Sequence, residues 1–213
     1  MSQDRPEHRD PGPLAHRIYR VLDRPWVYRL AQQVLAPGAE RGVRRRLEAL
    51  LQQLPAGGRA LDVGCGPASD LTPLGMRPVG VDLTEPYVRR FVHDGGAAVV
   101  GSATRLPFIS GSFDTVWSMR LLHHLPDPLA RQAIREMMRV CRPGGYVVIL
   151  DATLPHRPWS NPLAYAIRRL DRGRYMRSLE QFEALLPERA RWTVQSFSVA
   201  ATRLPAVLCS TRR

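Results

Sequence analysis

Short apolar runs alternate with amphipathic stretches between residues 59 and 151. Helices are predicted in the amphipathic stretches, one capped by Thr84 and another with Asp127 at its N-cap and Pro128 as its first helical residue. Strands that alternate with helices across tight turns predict an α/β domain with a mainly parallel sheet. The predicted strands are Ala60–Val63, Val79–Val81, Ala97–Val100, Phe113–Trp117 and Tyr146–Leu150.

The later part of this pattern predicts how the sheet is covered and closed. Ser178 and Gln181 form a capping box that predicts a short helix. Residues 191–198 and 204–210 are predicted as two last strands that pair as an antiparallel hairpin. The helix that begins at Asp127 is predicted to end at Arg142-Pro143-Gly144-Gly145, with one apolar face formed by Leu129, Ala133, Ile134, Met137 and Cys141.

The chain divides into three regions by texture. Residues 1–13 hold three prolines among charged residues and are predicted to be a flexible tail. Residues 14–54 are predicted to form an N-terminal helical cap, with one helix over 14–35 and another over 40–54. Residues 55–213 form the main domain, and the segment 152–190 is an insertion that interrupts its strand–helix rhythm with prolines and arginines.

Composition limits the classes of function. The net charge is +12, yet all 31 basic residues are arginine, which is typical of a GC-rich genome and raises the isoelectric point without a functional cause. Residues 55–150 carry only +2, whereas the excess lies at the two ends. Cys65, Cys141 and Cys209 form no C-x-x-C pair, so we expect neither a disulfide framework nor a zinc site. The polar N-terminal residues lack the apolar segment of a secretion signal, and we expect a cytoplasmic protein.

A glycine-rich turn follows the first predicted strand. Gly64, Cys65 and Gly66 lie where a strand gives way to a helix, and glycines there allow a ligand to approach the backbone. Asp82 ends the next strand about 20 residues later, where an acid accepts both hydroxyls of a ribose. The full dinucleotide fingerprint is absent, because the chain departs from it at Pro67 and the third glycine is missing. Pro73 also shortens the helix that follows. This combination favours a nucleoside without a pyrophosphate.

Five segments appear in order: LDVGCGPASD, GVDLT, GSATRLPF, FDTVWSMRLLHHLPDP and REMMRVCRPGGYVVI. Together they resemble class I S-adenosylmethionine (SAM)-dependent methyltransferases, of the branch that includes ubiquinone and menaquinone C-methyltransferases (methyltransferase type 11). The resemblance covers about residues 59–151. It implies a Rossmann-like, doubly wound, mostly parallel seven-stranded sheet with a C-terminal antiparallel hairpin, N-terminal helices and a helical insertion before the last strands. It also implies SAM as the cofactor.

The resemblance further implies which residues bind SAM. Asp62 would orient the glycine turn and reach the amino-acid end of the cofactor, and Asp82 would hold the ribose. Ser102 departs from the usual Asp or Asn at the position that reads the adenine amine, and Pro67 lacks an N–H that relatives often have. The complete predicted set is Asp62, Gly64, Cys65, Gly66, Asp82, Leu83, Ser102, Ala103, Ser118 and Met119.

Two histidines follow the fourth predicted strand, where the acceptor pocket opens in such folds. His123 or His124 would deprotonate an acceptor hydroxyl, or both would serve packing and substrate positioning; the residues alone leave both interpretations open. No lysine is present, so the Lys-Asp-Lys-Glu tetrad of ribose 2′-O-methylation is excluded. Strand four ends without the acid that metal-dependent catechol enzymes need, and we expect no metal.

These observations favour methyl transfer to a small molecule such as a quinone, a phenol or a lipid-like compound, mainly by positioning. Nucleic acid is an unlikely partner because the sequence signatures of its modification are absent. The basic segments 14–35 and 158–177 also carry tryptophan and tyrosine, so peripheral contact with the inner face of a membrane is a further hypothesis. Two alternatives stay open: an RNA-modifying methyltransferase and a SAM-binding regulatory protein without catalysis. The oligomeric state is not indicated.

Overall fold

A seven-stranded sheet forms the centre of the computed structural model, which describes residues 39–54, 57–169, 173–199 and 202–213. The predicted tail and the predicted helix over 14–35 lie outside the described residues. The strands run in the spatial order β3-β2-β1-β4-β5-β7-β6. Their bounds are β1 Ala60–Val63, β2 Val79–Asp82, β3 Ala97–Val100, β4 Phe113–Met119, β5 Cys141–Ala152, β6 Thr193–Val199 and β7 Leu204–Arg212.

The pairing confirms the predicted fold class. Strands β1 to β5 pair in parallel, whereas β7 pairs antiparallel with both β5 and β6. The chain order reverses between β1 and β4, which makes the gap beyond their carboxyl ends the topological switch point of the sheet. Ligands bind at such points in open α/β sheets, so the sheet order itself indicates where the site lies.

The described helices cover both faces of the sheet. They are α1 Ala39–Leu51, α2 Glu85–His93, α3 Asp127–Val140, α4 Pro162–Arg169 and α5 Leu179–Glu183, with 3-10 turns at Thr72–Leu74 and Leu122–His124. The capping box of Ser178 and Gln181 is present at the start of α5, as predicted. No helix in the described part of the chain is long and apolar enough to cross a membrane.

The strands alternate their side chains between two apolar layers. In β5, Val147 and Ile149 pack with α3 and α5, whereas Val148 and Leu150 pack with α1 and α4 on the other face. Both layers are buried, which explains why these strands appear in the sequence as continuous apolar runs.

Two local predictions on the helices are wrong, and a third is confirmed only in position. Pro126, not Asp127, is the N-cap of α3. Ala133, Ile134 and Met137 are buried as predicted, but Leu129 is 41% exposed and Ala130 is buried instead. Cys141 opens β5 instead of ending the helix, because the backbone turns directly from helical to extended there. Thr84 occupies the N-cap of α2, but its side chain makes no capping hydrogen bond.

Candidate active site

The glycine turn after β1 is held against the end of β2 by hydrogen bonds. The Gly64 N–H donates to the Val81 carbonyl (2.8 Å), and the Gly66 N–H donates to Asp82 Oδ2 (3.0 Å). The other carboxylate oxygen, Oδ1, accepts from the Thr84 N–H at 2.8 Å. Each carboxylate oxygen has a second lone pair, so Asp82 is oriented by the backbone and still has acceptor capacity for a diol.

Two glycines allow the close packing around this turn. A Cβ on Gly64, whose φ is +76°, would lie 2.9 Å from a methyl carbon of Leu121. A Cβ on Gly80 would lie 2.6 Å from Cys65 Sγ. Burial raises the pKa of the Cys65 thiol to about 12, so this side chain is a protonated packing group. Gly66 differs, because a Cβ there would meet no atom within 4 Å, and the space above it is open.

Asp62 lies beneath the turn, buried at the carboxyl end of β1. Its Oδ2 accepts a hydrogen bond from Ser69 Oγ at 2.5 Å. Burial raises the pKa of Asp62 to about 7, the Ser69 hydrogen bond opposes the rise, and the nearby Asp70 adds to it. A carboxyl group with such a pKa ionises readily when a cation such as an ammonium group binds beside it.

The other predicted cofactor residues lie at the ends of β2, β3 and β4. Leu83 is 74% exposed, so its apolar side chain is available to a ligand. Ser102 and Ala103 follow β3, and Ser102 Oγ lies 2.8 Å from Thr104 Oγ1. Ser118 and Met119 are buried at the end of β4. Ser118 Oγ has no hydrogen-bond partner among the described residues, and a buried hydroxyl of this kind is a site that a ligand can satisfy.

The two histidines both lie in the 3-10 turn after β4, but their surroundings differ. His123 is buried and its Nδ1 hydrogen-bonds to Asp151 Oδ1. The backbone N–H of His123 also donates to Asp151 Oδ2, at 3.1 Å. His124 is exposed, and its ring lies 4.2 Å from that of His123 between centroids. The sequence alone did not choose between them; the structure gives His123 a carboxylate partner.

Asp151 was not predicted as a site residue. It lies near the carboxyl end of β5, next to β4, the strand that leads into the turn with the histidines, and its side chain is 1% exposed. Burial is the largest influence and opposes its ionisation, but His123 and backbone N–H donors together hold the pKa of Asp151 below its usual value. An ionised Asp151 accepts the Nδ1 proton, which leaves Nε2 as the basic nitrogen of the neutral ring. An acid directly after an apolar run was the available signal, as it was for Asp82.

A strap of residues 173–177, within the predicted insertion, covers the histidine turn. A Cβ on Gly173 would lie 2.1 Å from His123 Cδ2, so only glycine permits this approach. The Tyr175 N–H donates to the His123 carbonyl at 2.9 Å. The strap therefore holds both the ring and the backbone of His123 in place.

Arg177 fastens the end of the strap. Its guanidinium donates to the carbonyls of Leu122 (2.8 Å) and Leu125 (2.5 Å) and to Asp127 Oδ1 (2.8 Å). It is 4% exposed, and two carbonyls and a carboxylate compensate the burial of its charge. No sequence signal distinguished this arginine from the others of the basic insertion.

Among the described residues, no group of three or more His, Cys, Asp and Glu side chains is arranged to hold a metal ion. The absence of a metal stays a prediction.

A doubly wound sheet of this strand order, with a glycine turn after β1 and a carboxylate at the end of β2, is typical of SAM-dependent methyltransferase domains. Residues 61–149 match the family model described as a methyltransferase domain, of type 11. A solved SAM-dependent methyltransferase from Thermotoga maritima superposes with a TM-score of 0.66 at 18% identity, covering 92% of this chain and 100% of its own. That likeness shows the fold. Residues 61–149 therefore match a methyltransferase domain, and SAM is the cofactor that this domain implies.

Curated relatives match about half or more of this chain. A demethylmenaquinone methyltransferase from Roseiflexus castenholzii is 36% identical over 59% of this chain and 55% of its own. A 27-O-demethylrifamycin SV methyltransferase from Amycolatopsis mediterranei is 33% identical over 70% of this chain and 60% of its own. Across such relatives the chain spans from 26% of an Arabidopsis thaliana tRNA methyltransferase to 62% of a demethylmenaquinone methyltransferase from Beutenbergia cavernae.

The site's polar groups fit this cofactor. Asp82 retains acceptor capacity for a ribose, Ser118 offers a hydroxyl that no described residue satisfies, and the space above Gly66 is open. Leu83 provides an exposed apolar side chain beside Asp82, which is suited to packing against the adenine ring.

Proposed function

We propose that the protein transfers the methyl group of SAM to a hydroxyl oxygen of a small-molecule acceptor, with His123 as the base. The observation that carries the proposal is the buried His123–Asp151 pair at the carboxyl ends of β4 and β5. These ends adjoin the switch point, where the cofactor residues of β1 and β4 converge. Base and methyl donor are therefore expected to share one cleft.

The chemistry needs a base because a neutral hydroxyl is a weak nucleophile. Bound SAM would supply an electrophilic methyl group, which would pass to the acceptor oxygen with S-adenosylhomocysteine as the leaving group. His123 Nε2 takes the proton that the hydroxyl gives up, and Asp151 stabilises the resulting imidazolium through Nδ1–H. A positioned base of this kind contributes about 10²- to 10⁴-fold in rate. Alignment of acceptor and methyl group in a water-poor cleft supplies the larger share.

A small molecule is favoured as the acceptor for two reasons. The relatives named for menaquinone and rifamycin substrates act on small molecules, and one of those names specifies an oxygen. The strap over His123 also narrows access to the base from the insertion side. A quinol or a phenol is consistent with both observations, because it is a small molecule whose hydroxyl needs only a base near neutral pH for activation.

The test is transfer of a radiolabelled methyl group from SAM to a panel of quinols, phenols and hydroxylated natural products. We expect H123N and D151N to lower kcat about 10²- to 10⁴-fold while S-adenosylhomocysteine binds as before. H124N is the matched control, because His124 lies in the same turn but is exposed, and it should keep most of the activity.

The pH profile gives a second readout. Wild-type kcat should rise with pH as His123 loses its proton, and this limb should disappear in H123N. Activity that survives in H123N with an unchanged profile would contradict the assignment of the base. The same assay is run with cellular RNA as the acceptor. Label transferred only to RNA would contradict the small-molecule acceptor, and tight SAM binding without transfer to RNA or to any compound of the panel would favour a regulatory protein.

A further inference from the structure

Arg120 has a backbone conformation that is unusual for its residue type. It directly follows β4, and its φ is +57°, in the left-handed region that side-chain-bearing residues seldom adopt. Its N–H still donates to the Leu150 carbonyl at 2.8 Å, so the chain leaves the sheet immediately after this contact. Such strain persists where the surrounding structure requires it, and it is concentrated at ligand sites.

The turn at Arg120 brings its side chain to the glycine turn. The guanidinium pairs with Asp70, which lies in the loop that follows Gly66. The next residue, Leu121, packs directly on Gly64. Arg120 and Asp70 also both act on the charge of Asp62, the first lowering its pKa and the second raising it. Arg120 is therefore the cation placed at the end of the cleft where Asp62 lies.

The Arg120–Asp70 pair is easily exchanged for another partner. The two side chains are 56% and 41% exposed, and exposed ion pairs of this kind contribute little to stability. An incoming carboxylate can replace Asp70 on the guanidinium with the same charge-assisted hydrogen bonds.

The charges around the turn match a zwitterion. Asp62, Asp70 and Asp82 surround the turn, and Arg120 is the cation that acts on Asp62 there. Pro67 has no N–H to offer a carboxylate at this point of the turn. The amino-acid end of SAM carries one ammonium and one carboxylate, so it needs an anionic and a cationic side chain close together.

We infer that Arg120 binds the carboxylate of the methionine part of SAM, taking it in place of Asp70, and so compensates for the donor that Pro67 lacks. The inference deepens the cofactor site and rests on the SAM binding that the proposed function assumes. It gives the strained backbone a role, because the left-handed turn is what directs the guanidinium to the loop after Gly66.

The test compares, by isothermal titration calorimetry, two ligands that both lack the sulfonium charge of SAM. S-adenosylhomocysteine has the amino-acid end, and 5′-methylthioadenosine shares the nucleoside and sulfur but lacks it. We expect R120Q to weaken S-adenosylhomocysteine binding about 10- to 100-fold, the loss expected for a charge-assisted hydrogen bond, and to leave methylthioadenosine within about twofold of the wild type. R90Q is the matched control, because Arg90 also forms an exposed pair, with Asp94, and it should change neither affinity.

A double variant, D70N/R120Q, removes the acid that R120Q leaves without its partner. The same selective loss in the double variant supports the inference. Recovery of S-adenosylhomocysteine binding there would overturn it, because the loss would then come from uncompensated Asp70. Equal weakening of both ligands by R120Q would overturn it as well. A wild type that binds neither ligand would overturn the cofactor site itself, and the inference with it.

Discussion

Replacement of Asp62 by Asn should remove a pH-dependent loss of stability. In the folded chain burial raises the Asp62 pKa from 3.8 to about 7, so the folded state keeps a proton that the unfolded state has already released. The contribution of Asp62 to the free energy of unfolding is therefore fully present below about pH 4 and is lost as the pH rises to about 7. D62N has the same shape, can still accept from Ser69, and has no proton to lose.

The size of the effect follows from the pKa difference. Each pKa unit corresponds to about 1.4 kcal/mol, so the rise from 3.8 to about 7 corresponds to on the order of 4 kcal/mol. Between pH 4.5 and 7.5 the advantage of D62N over the wild type should grow by about 3 kcal/mol. For a chain of 213 residues this corresponds to a change in Tm difference of roughly 6 to 12 °C.

The assay is thermal or urea unfolding of ligand-free wild type and D62N at several pH values, with the difference plotted against pH. D114N is the control of opposite sign. The Asp114 pKa is lowered by the Arg59 N–H and by Arg142, so its stabilisation is present above about pH 4 and is lost on acidification. A D62N difference that stays constant from pH 4.5 to 7.5 would refute the description of Asp62 as a buried, readily protonated acid.

Two further predictions concern the site. D82N should weaken S-adenosylhomocysteine binding about 10- to 100-fold, since the amide cannot accept from both the Gly66 and Thr84 N–H groups and a ribose; calorimetry measures it, and unchanged affinity would contradict the ribose assignment. R177Q should lower kcat with little change in S-adenosylhomocysteine affinity, because Arg177 holds the carbonyls of the histidine turn. If Arg177 positions the histidines, the pH profile of kcat should shift together with the fall in kcat, whereas general instability would lower kcat without that shift. An R177Q variant with wild-type kcat would contradict the positioning role.

The candidate cofactor residues could be proposed from the sequence because the pattern that marks them is local. Gly64, Gly66 and Asp82 lie at strand ends with fixed spacing, and the five expected strands recur with only their ends extended. The start of α3 was predicted one residue too late, because Asp127 has a proline on each side and either Pro126 or Asp127 could be the N-cap.

The acceptor side could not be predicted, because it is assembled from distant segments. His123 and Asp151 are 28 residues apart and meet only because β4 and β5 are neighbours in the sheet. Arg177 is 55 residues from the Leu122 carbonyl that it binds. A chain with 31 arginines gives no reason to single out one of them until its burial is known.

The place of β7 bears on how this enzyme matures. It lies between β5 and β6, so the flank of β5 that carries Asp151 pairs with residues translated about 60 positions later, Val207 among them. A nascent chain halted after β5 has an open, strongly apolar strand edge, the kind that associates with other chains. Once the final hairpin has emerged from the ribosome, β7 covers this edge of β5 and the surroundings of Asp151 are complete.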